Sequence, residues 1–505
     1  MAGPVPATQM RRQWVNVRGG SAARDLRRRC LWVAGTGPAM TTDNNWGGAM
    51  DRRKLLKAGA AAAALPGLAK AAGARRPPNF IVILCDDLGF GDITPYGGVI
   101  PTPALSRMAR EGLLATSYYA PANLCTPSRA GLLTGRYPVR TGLGFEVIFA
   151  DDDRKLPHSE RTIAEALKPA GYTSGLFGKW HLGHEGPDWL PTTYGFDAYY
   201  GIPYSHDMAP LSVWASDAAH PKGVSGPVDY PALQQQFYDH ATAFIDQAKD
   251  RPFFVELAFS APHLPEYPEA RFKGSSKQGA YGDVVRELDA LVGKLMAKLK
   301  AQKLERETIV VFTSDNGPWF EGSPGRFRGR KGGGADDGGY RVPFMVWAPG
   351  RAKPGRRTDA IMSGVDILPT LCSLAGVAPP AGVELDGVDQ SRVWLAGGPS
   401  AREEIVLFNN EDVIGVRTQR WKYVAASYYR ALTLNFEQIG RYLQLYDETA
   451  PEAENYSLAA AYPQVTADMR ARLHRAADRY RPYKKGVPPA VTRLLKGLQA
   501  QPHQD

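Results

Sequence analysis

Residues 79–87 read NFIVILCDD, six consecutive apolar side chains (Phe80–Cys85) closed by two carboxylates, Asp86 and Asp87. A strand with one face in water alternates apolar and polar residues, whereas an unbroken run suits a strand buried on both faces. Four further stretches follow the same plan, an apolar run with a polar tip: TSGLFGKWH (173–181), RPFFVELAFSAPH (251–263), ETIVVFTSDNG (307–317) and RVPFMVWAPG (341–350). Helical patterns lie between them. In GDVVRELDALVGKLMAKLKAQ (282–302), Val284, Val285, Leu288, Leu291, Val292, Leu295 and Leu299 recur at helical spacing. PTPALSRMAREG (101–112) and RTIAEALKPAG (161–171) read as shorter helices stopped by glycine. This alternation predicts an α/β fold: a large mixed, mostly parallel sheet with helices on both faces. Ligands of such sheets collect beyond the carboxyl ends of the strands, so the polar tips are expected to converge at one edge.

Past about residue 400 the texture changes. EIVLFN, VIGVRTQRWKYVAA and YLQLYDE alternate as antiparallel strands do, and AYPQVTADMRARLHRAADRY reads as a helix. The expected organisation is a main α/β domain over 75–400, a small antiparallel sheet subdomain with a helix over 401–483, and a loosely held tail over 484–505. At the other end, MDRRKLLKAGAAAAALPGLAKAAGA (50–74) carries paired arginines, a short apolar stretch and a small-x-small ending. It reads as a twin-arginine export signal, which places the protein in the periplasm or outside the cell. Residues 1–49 show no periodic pattern and read as an extension that is not native, with Met50 the expected start.

The net charge of +10 belongs to this head. Residues 1–74 hold twelve Lys/Arg against three Asp, leaving 49 basic and 48 acidic residues in the remainder. A nucleic-acid partner therefore loses its electrostatic support. The apolar stretch Ala58–Ala69 is shorter than the roughly 20 residues that span a bilayer, so no stable membrane insertion is expected. Beyond residue 74 the cysteines are Cys85, Cys125 and Cys372, an odd count that gives no disulfide framework. Cys85 and Cys372 sit in apolar patterns. Cys125 stands in PANLCTPSRAGLLTGRY (121–137), among Asn, Thr, Pro, Ser and Arg, without the surroundings of a thiol hydrolase.

The tips carry chemistry. Asp86, Asp87, Asp315 and Asn316 form an all-oxygen set suited to calcium or magnesium rather than zinc. Read singly, Asp-Asp and Asp-Asn-Gly are also ordinary strand-end turns. In GKWHLGH, Lys179 and His181 lie two apart, on one face if the chain is extended; the lysine suits a sulfate or phosphate oxygen and the histidine a proton transfer. His263 in APHLP and Lys331 in the glycine-rich RGRKGGGADDGGYRVP (328–343) are ambiguous when taken alone.

The run CTPSRAGLLTGRYPVRTG closely resembles the Cys-x-Pro-Ser-Arg signature of the sulfatases, in the group similar to arylsulfatase A and within the alkaline phosphatase superfamily. The resemblance extends over most of residues 79–460. It implies that a formylglycine-generating enzyme oxidises Cys125 to formylglycine, whose hydrate is the nucleophile. It implies calcium, with magnesium second, held by Asp86, Asp87, Asp315, Asn316 and the converted Cys125. Arg129 would hold the formylglycine hydrate. Lys179, Ser205 (in GIPYSHD), His263 and Lys331 would contact the sulfate, with His263, assisted by Lys331, protonating the leaving oxygen and His181 acting as the base that frees sulfate. The implied activity is hydrolysis of a sulfate ester, aryl or sugar, to an alcohol and inorganic sulfate. The implied partners are the sulfated small molecule or glycan, the generating enzyme and the twin-arginine machinery. One departure touches Lys331: the family places a glutamate five residues beyond that lysine, and here Asp337 stands six beyond. Two alternatives stay open on the sequence, a phosphodiester or phosphonate hydrolase of the same superfamily and a glycan-binding relative whose cysteine is never converted.

Overall fold

The computed structural model describes residues 76–426, 443–450 and 454–493. The expected extension over 1–49, the export signal over 50–74 and the last twelve residues lie outside the described residues. The doubly buried runs form the centre of the molecule. β1 (Asn79–Asp86) is flanked by β8 (Phe253–Pro262) and β9 (Thr308–Ser314), and β4 (Thr173–Lys179) lies beyond β8. All four are parallel and every residue in them is buried. Their side chains alternate between two cores. Phe80, Val82 and Leu84 join Leu132, Leu133, Ile367 and Leu371 on one face; Ile81, Ile83 and Cys85 join Leu288, Leu291, Phe237 and Ile245 on the other.

The sheet is completed on one side by β5 (Ala198–Ile202), β6 (Val213–Asp217) and β7 (Val224–Gly226). On the other side come β10 (Phe344–Trp347), β2 (Leu113–Ala115) and β11 (Arg356–Thr358), for ten strands in all. β5 is parallel to β4, but β6, β7 and β10 run antiparallel to their inner neighbours, so the parallel block has antiparallel flanks. The five quoted runs do not all send their carboxyl ends to one edge: β10 is reversed, so the loop entering it, rather than its tip, reaches the edge where β1, β4, β8 and β9 end. A small parallel pair, β3 (Tyr118–Tyr119) and β12 (Met362–Ser363), stands apart.

Helices cover both faces. In chain order they include α1 (Pro103–Glu111), α2 (Cys125–Thr134), α3 (Leu233–Ala248), α4 (Gly279–Ala301), α5 (Ile367–Ala375) and α6 (Pro463–Tyr480). The sheet β13–β16 (Ile405–Asn409, Asp412–Arg417, Trp421–Val424, Gln444–Asp447) is wholly antiparallel. One face packs Val406, Phe408, Val416 and Leu445 on Met469 and Leu473 of α6; the other packs Ile405, Leu407 and Ile414 on Tyr119 and Tyr340 of the main domain. The tail past Lys484 stays docked through its described part, with Val491 buried and the Lys485 and Gly486 amides donating to Glu411. No helix among the described residues is long and apolar enough to cross a membrane.

Candidate active site

Strand adjacency brings the acidic tips together. β1 and β9 are hydrogen-bonded neighbours ending side by side, so Asp86–Asp87 and Asp315–Asn316 leave the sheet together. Asp87 takes a left-handed backbone (φ 66°), a conformation costly for a residue with a Cβ and typical of functional sites. The Asp87 amide donates to Asp315 Oδ1 (3.2 Å), and the Asn316 side-chain amide donates to Asp87 Oδ1 (2.7 Å). This leaves Asn316 Oδ1 buried, with no hydrogen-bond partner among the described residues.

Cys125 is the first residue of α2, a helix buried along its whole length. Its Sγ lies 3.3 Å from Asp86 Oδ1 and 3.9 Å from Asp87 Oδ1. Burial and the Asp86 charge push the thiol well above its ordinary range, so an unassisted thiolate does not form here. One turn along, Arg129 is fully buried and salt-bridged to Asp315 Oδ2 (2.9 Å), while its Nη1 donates to the Lys179 carbonyl (2.8 Å).

Lys179 ends β4 and places Nζ 2.5 Å from Asp86 Oδ2. Its neighbourhood is close-packed: a Cβ on Gly178 would fall 1.7 Å from the Ala258 carbonyl oxygen, so glycine there lets β4 lie against β8. Lys331 enters from the glycine-rich loop before β10 and reaches Asp87 Oδ2 at 2.7 Å; His263, just past β8, turns Nε2 towards the same oxygen at 3.6 Å. Three buried carboxylates (Asp86, Asp87, Asp315) thus face three cations (Lys179, Arg129, Lys331). Burial alone would raise the Asp86 carboxyl, but Lys179, His263 and Arg129 overcome it and hold the group well below its usual range. Burial and the Asp86 charge push its neighbour Asp315 up to about 7.

The two histidines are held through opposite ring nitrogens. His181, also left-handed (φ 59°), sets Nε2 2.9 Å from the Ile148 carbonyl. A carbonyl only accepts, so the proton sits on Nε2 and Nδ1 is a bare acceptor, buried and unpartnered among the described residues. Burial and Lys179 hold this imidazole neutral, its pKa well below the ordinary value. His263 keeps its proton on Nδ1, 2.6 Å from the Leu264 carbonyl, which leaves Nε2 facing the site.

All the residues expected from the sequence therefore reach one edge. Ser205 follows β5 at that edge, its hydroxyl buried and without a hydrogen-bond partner among the described residues. The motifs did not reveal the supports. Thr126 Oγ1 donates to the His181 carbonyl and accepts from the Ile148 amide (3.0 Å each), tying α2 to the His181 segment. Asn123, two residues before Cys125, accepts from the Gly332 amide and donates to the Gly334 carbonyl, locking the Lys331 loop. Asp337 is not in the site. Its carboxylate meets Lys422 (2.6 Å), Arg341 (3.1 Å) and the Tyr119 hydroxyl, in a second buried cluster with Glu448, Glu454 and Arg417 that joins the small sheet to the main domain.

The oxygens suit a hard divalent cation: the carboxylates of Asp86 and Asp87 meet here and Asn316 Oδ1 adds an uncommitted acceptor, while Cys125 Sγ and the His263 ring lie in the same cluster, ligand atoms all within 4.8 Å of one another. The two lysines and the histidine would then be available to a tetrahedral anion.

Comparison with known proteins points the same way. A family model described as Sulfatase matches residues 78–377. Human (Homo sapiens) arylsulfatase A is 38% identical over 398 residues, covering 72% of this chain and 78% of that protein. N-acetylgalactosamine-6-sulfatase of Canis lupus familiaris is 37% identical, over 70% of this chain and 72% of its own length. Among solved structures, the PsFucS1 sulfatase from Pseudoalteromonas sp. superposes with a TM-score of 0.74 at 29% identity, covering 82% of this chain and 92% of the other.

Proposed function

The chain belongs to the sulfatase family and is a sulfuric ester hydrolase, and from this we propose a mechanism in which Cys125 is converted to formylglycine and a calcium ion is held by Asp86, Asp87, Asp315 and Asn316. The observation that carries it is the meeting, at one sheet edge, of Cys125 with these oxygens and with Lys179, Lys331 and His263. When present, the two groups supply an oxygen nucleophile and a Lewis acid for a sulfate oxygen. An all-oxygen donor set this large and this buried suits calcium better than magnesium, which keeps several waters. The side-chain charges balance at three against three, so a bound divalent cation would leave the site net positive and favour the monoanionic sulfate ester.

The chain's own residues do the rest. Lys179 and Lys331 neutralise sulfate oxygens and orient the ester, with Ser205 as a further contact. Arg129 braces Asp315 and the first turn of α2, which fixes residue 125. His263 acts as the imidazolium: Nδ1–H stays on the Leu264 carbonyl, and the second proton, on Nε2 beside Asp87, passes to the departing alcohol oxygen, with Lys331 beside it. His181 accepts a proton at Nδ1, the atom its hydrogen bond to Ile148 leaves free. The relatives act on aryl sulfates and on N-acetylgalactosamine 6-sulfate, as their names state, and substrates of this kind are proposed here.

The proposed setting is the periplasm or the exterior, reached through the twin-arginine signal, with conversion by a formylglycine-generating enzyme before export. The deciding experiment is peptide mass spectrometry across residues 125–129 on protein from its own host, paired with an aryl sulfate assay with and without chelator. Loss of hydrogen sulfide and gain of oxygen at residue 125, with chelator-sensitive turnover, is expected. An intact thiol in fully active protein refutes the mechanism, and faster turnover of an aryl phosphate diester would move the substrate to phosphorus.

A further inference from the structure

Beside the cationic pocket, the turn Ser205–Met208 holds polar atoms to which the mechanism gives no task. The Met208 amide donates to the Ser205 carbonyl (3.1 Å), and the Met208 side chain packs against the Leu124, Cys125 and Val147 cluster. The turn therefore lies beside residue 125. Within it, Asp207 is half-buried, yet its Oδ1 is shut off from solvent and has no hydrogen-bond partner among the described residues. Burial would raise this carboxyl, but His263, His206, Lys179 and Lys331 hold it below its ordinary range; its chain neighbour His206 sets its ring 5.7 Å from that of His263, which joins the turn to the sulfate pocket. His206 adds a second acceptor. Its Nε2 lies 3.1 Å from the Pro265 carbonyl and must carry the proton, so Nδ1, buried and unpartnered among the described residues, is bare; burial lowers this imidazole to about 4.

The polarity of this turn is opposite to that of the sulfate pocket. Lys179, Lys331 and His263 present positive charge or donors, whereas the unpartnered atoms here, Asp207 Oδ1 and His206 Nδ1, only accept. A buried carboxylate oxygen without a donor is costly and calls for a partner. It repels any second anion beside the ester and welcomes an O–H or N–H.

We propose that Asp207 is a specificity-determining residue that accepts a hydrogen bond from a hydroxyl or amide N–H flanking the sulfate ester, selecting neutral, hydroxylated sugar monosulfates over substrates with a second anionic group there. This rests on the sulfatase reading above and names its substrate class.

The test compares wild type with Asp207→Asn on three probes: phenyl sulfate, which has no donor beside its ester; N-acetylgalactosamine 6-sulfate; and N-acetylgalactosamine 4,6-disulfate. The ratio of kcat/KM for the monosulfated sugar to that for phenyl sulfate should fall by about tenfold to a hundredfold in the variant, as expected for loss of a charged acceptor. The preference for monosulfate over disulfate should shrink by a similar factor. Unchanged ratios overturn the proposal while leaving the sulfatase reading intact. Should the variant lose all turnover, competition on wild type decides: the monosulfate must inhibit phenyl sulfate hydrolysis at a concentration at least about tenfold below that of the disulfate, and equal or reversed potency overturns the proposal. A wild-type enzyme that turns over none of the three and is inhibited by neither sugar overturns this inference, while peptide mass spectrometry across residue 125 still tests the formylglycine reading separately.

Discussion

The ion cluster beneath the small sheet permits a quantitative test. Lys422, Asp337 and Glu454 have fully buried side chains; Nζ of Lys422 lies 2.6 Å from Asp337 and is also paired with Glu454, while Arg341 bridges Asp337 and Glu448 at 3.1 Å each. Three cations (Lys422, Arg341, Arg417) thus oppose three carboxyl groups. Burial and the Asp337 charge push Glu454 up to about 8 despite Lys422, so Asp337 is the firm partner of that lysine. Lys422→Met keeps the length of the side chain and removes the charge, so little cavity term enters. Breaking one partner from a buried pair costs about 3–5 kcal/mol, a large share of the roughly 5–15 kcal/mol that holds a folded domain. Asp337→Asn is expected to cost a comparable amount, and the double variant to be less destabilised than the sum by at least about 2 kcal/mol, because the second change removes the charge the first left bare. Urea unfolding of all four proteins, at constant m, measures the cycle. Burial would raise the Asp337 carboxyl, but Lys422 and Arg341 hold it well below the ordinary value of 3.8, so its stabilisation is present above that value and is lost as pH falls through the lower folded one. The coupling should therefore persist from pH 5 to 8 and fade only in stronger acid. Additive penalties, or a Lys422→Met cost below about 1 kcal/mol, would refute the reasoning.

Lys331→Ala should lower kcat/KM for an aryl sulfate by about a hundredfold to a thousandfold, the usual cost of losing a charge-stabilising donor, and urea unfolding of the metal-free protein should also record a loss, because buried Asp87 is left without its lysine. His181→Gln should lower kcat by about 10²–10⁴-fold, and an undiminished kcat would dismiss it as the base. Removing the divalent ion should abolish turnover but leave the protein folded, because each carboxylate retains a cation; calcium restored at 100 times its Kd should then add about 2.7 kcal/mol to unfolding stability, read as a rise in Tm. Glu256, buried in β8 between Val82 and Leu176 with Oε2 unpartnered among the described residues, is pushed by burial from 4.5 to about 7. Its neutral form suits the fold, so stability falls as pH rises from about 4.5 through 7, by about 3 kcal/mol in full. Relative to wild type, Glu256→Gln should gain that much across the same window and no more above pH 8, a difference that urea unfolding at each pH measures.

What the sequence disclosed follows from which physical constraints leave a one-dimensional trace. Burial on both faces forbids polar residues, so β1, β4, β8 and β9 could be read as apolar runs, and their carboxyl-end tips could be pooled into one site before any geometry was known. Direction leaves no such trace. FMVW is equally apolar in either sense, and only the pairing with Val310–Thr313 makes β10 antiparallel and brings Lys331, which precedes it, to the edge. Strands of three residues such as β2 and β11 are too short to show any period. The displaced acidic residue beyond Lys331 shows the same limit. From spacing alone it cast doubt on the lysine, yet Asp337 answers to Lys422 and Arg341 across the domain boundary, while the lysine's position is set separately by Asn123 through Gly332 and Gly334, both with positive φ. An extra residue between two independently anchored points is absorbed by the glycines between them. A spacing rule thus constrains a site only when both residues it relates face the same chemistry, and here one faces the substrate and the other holds the domains together.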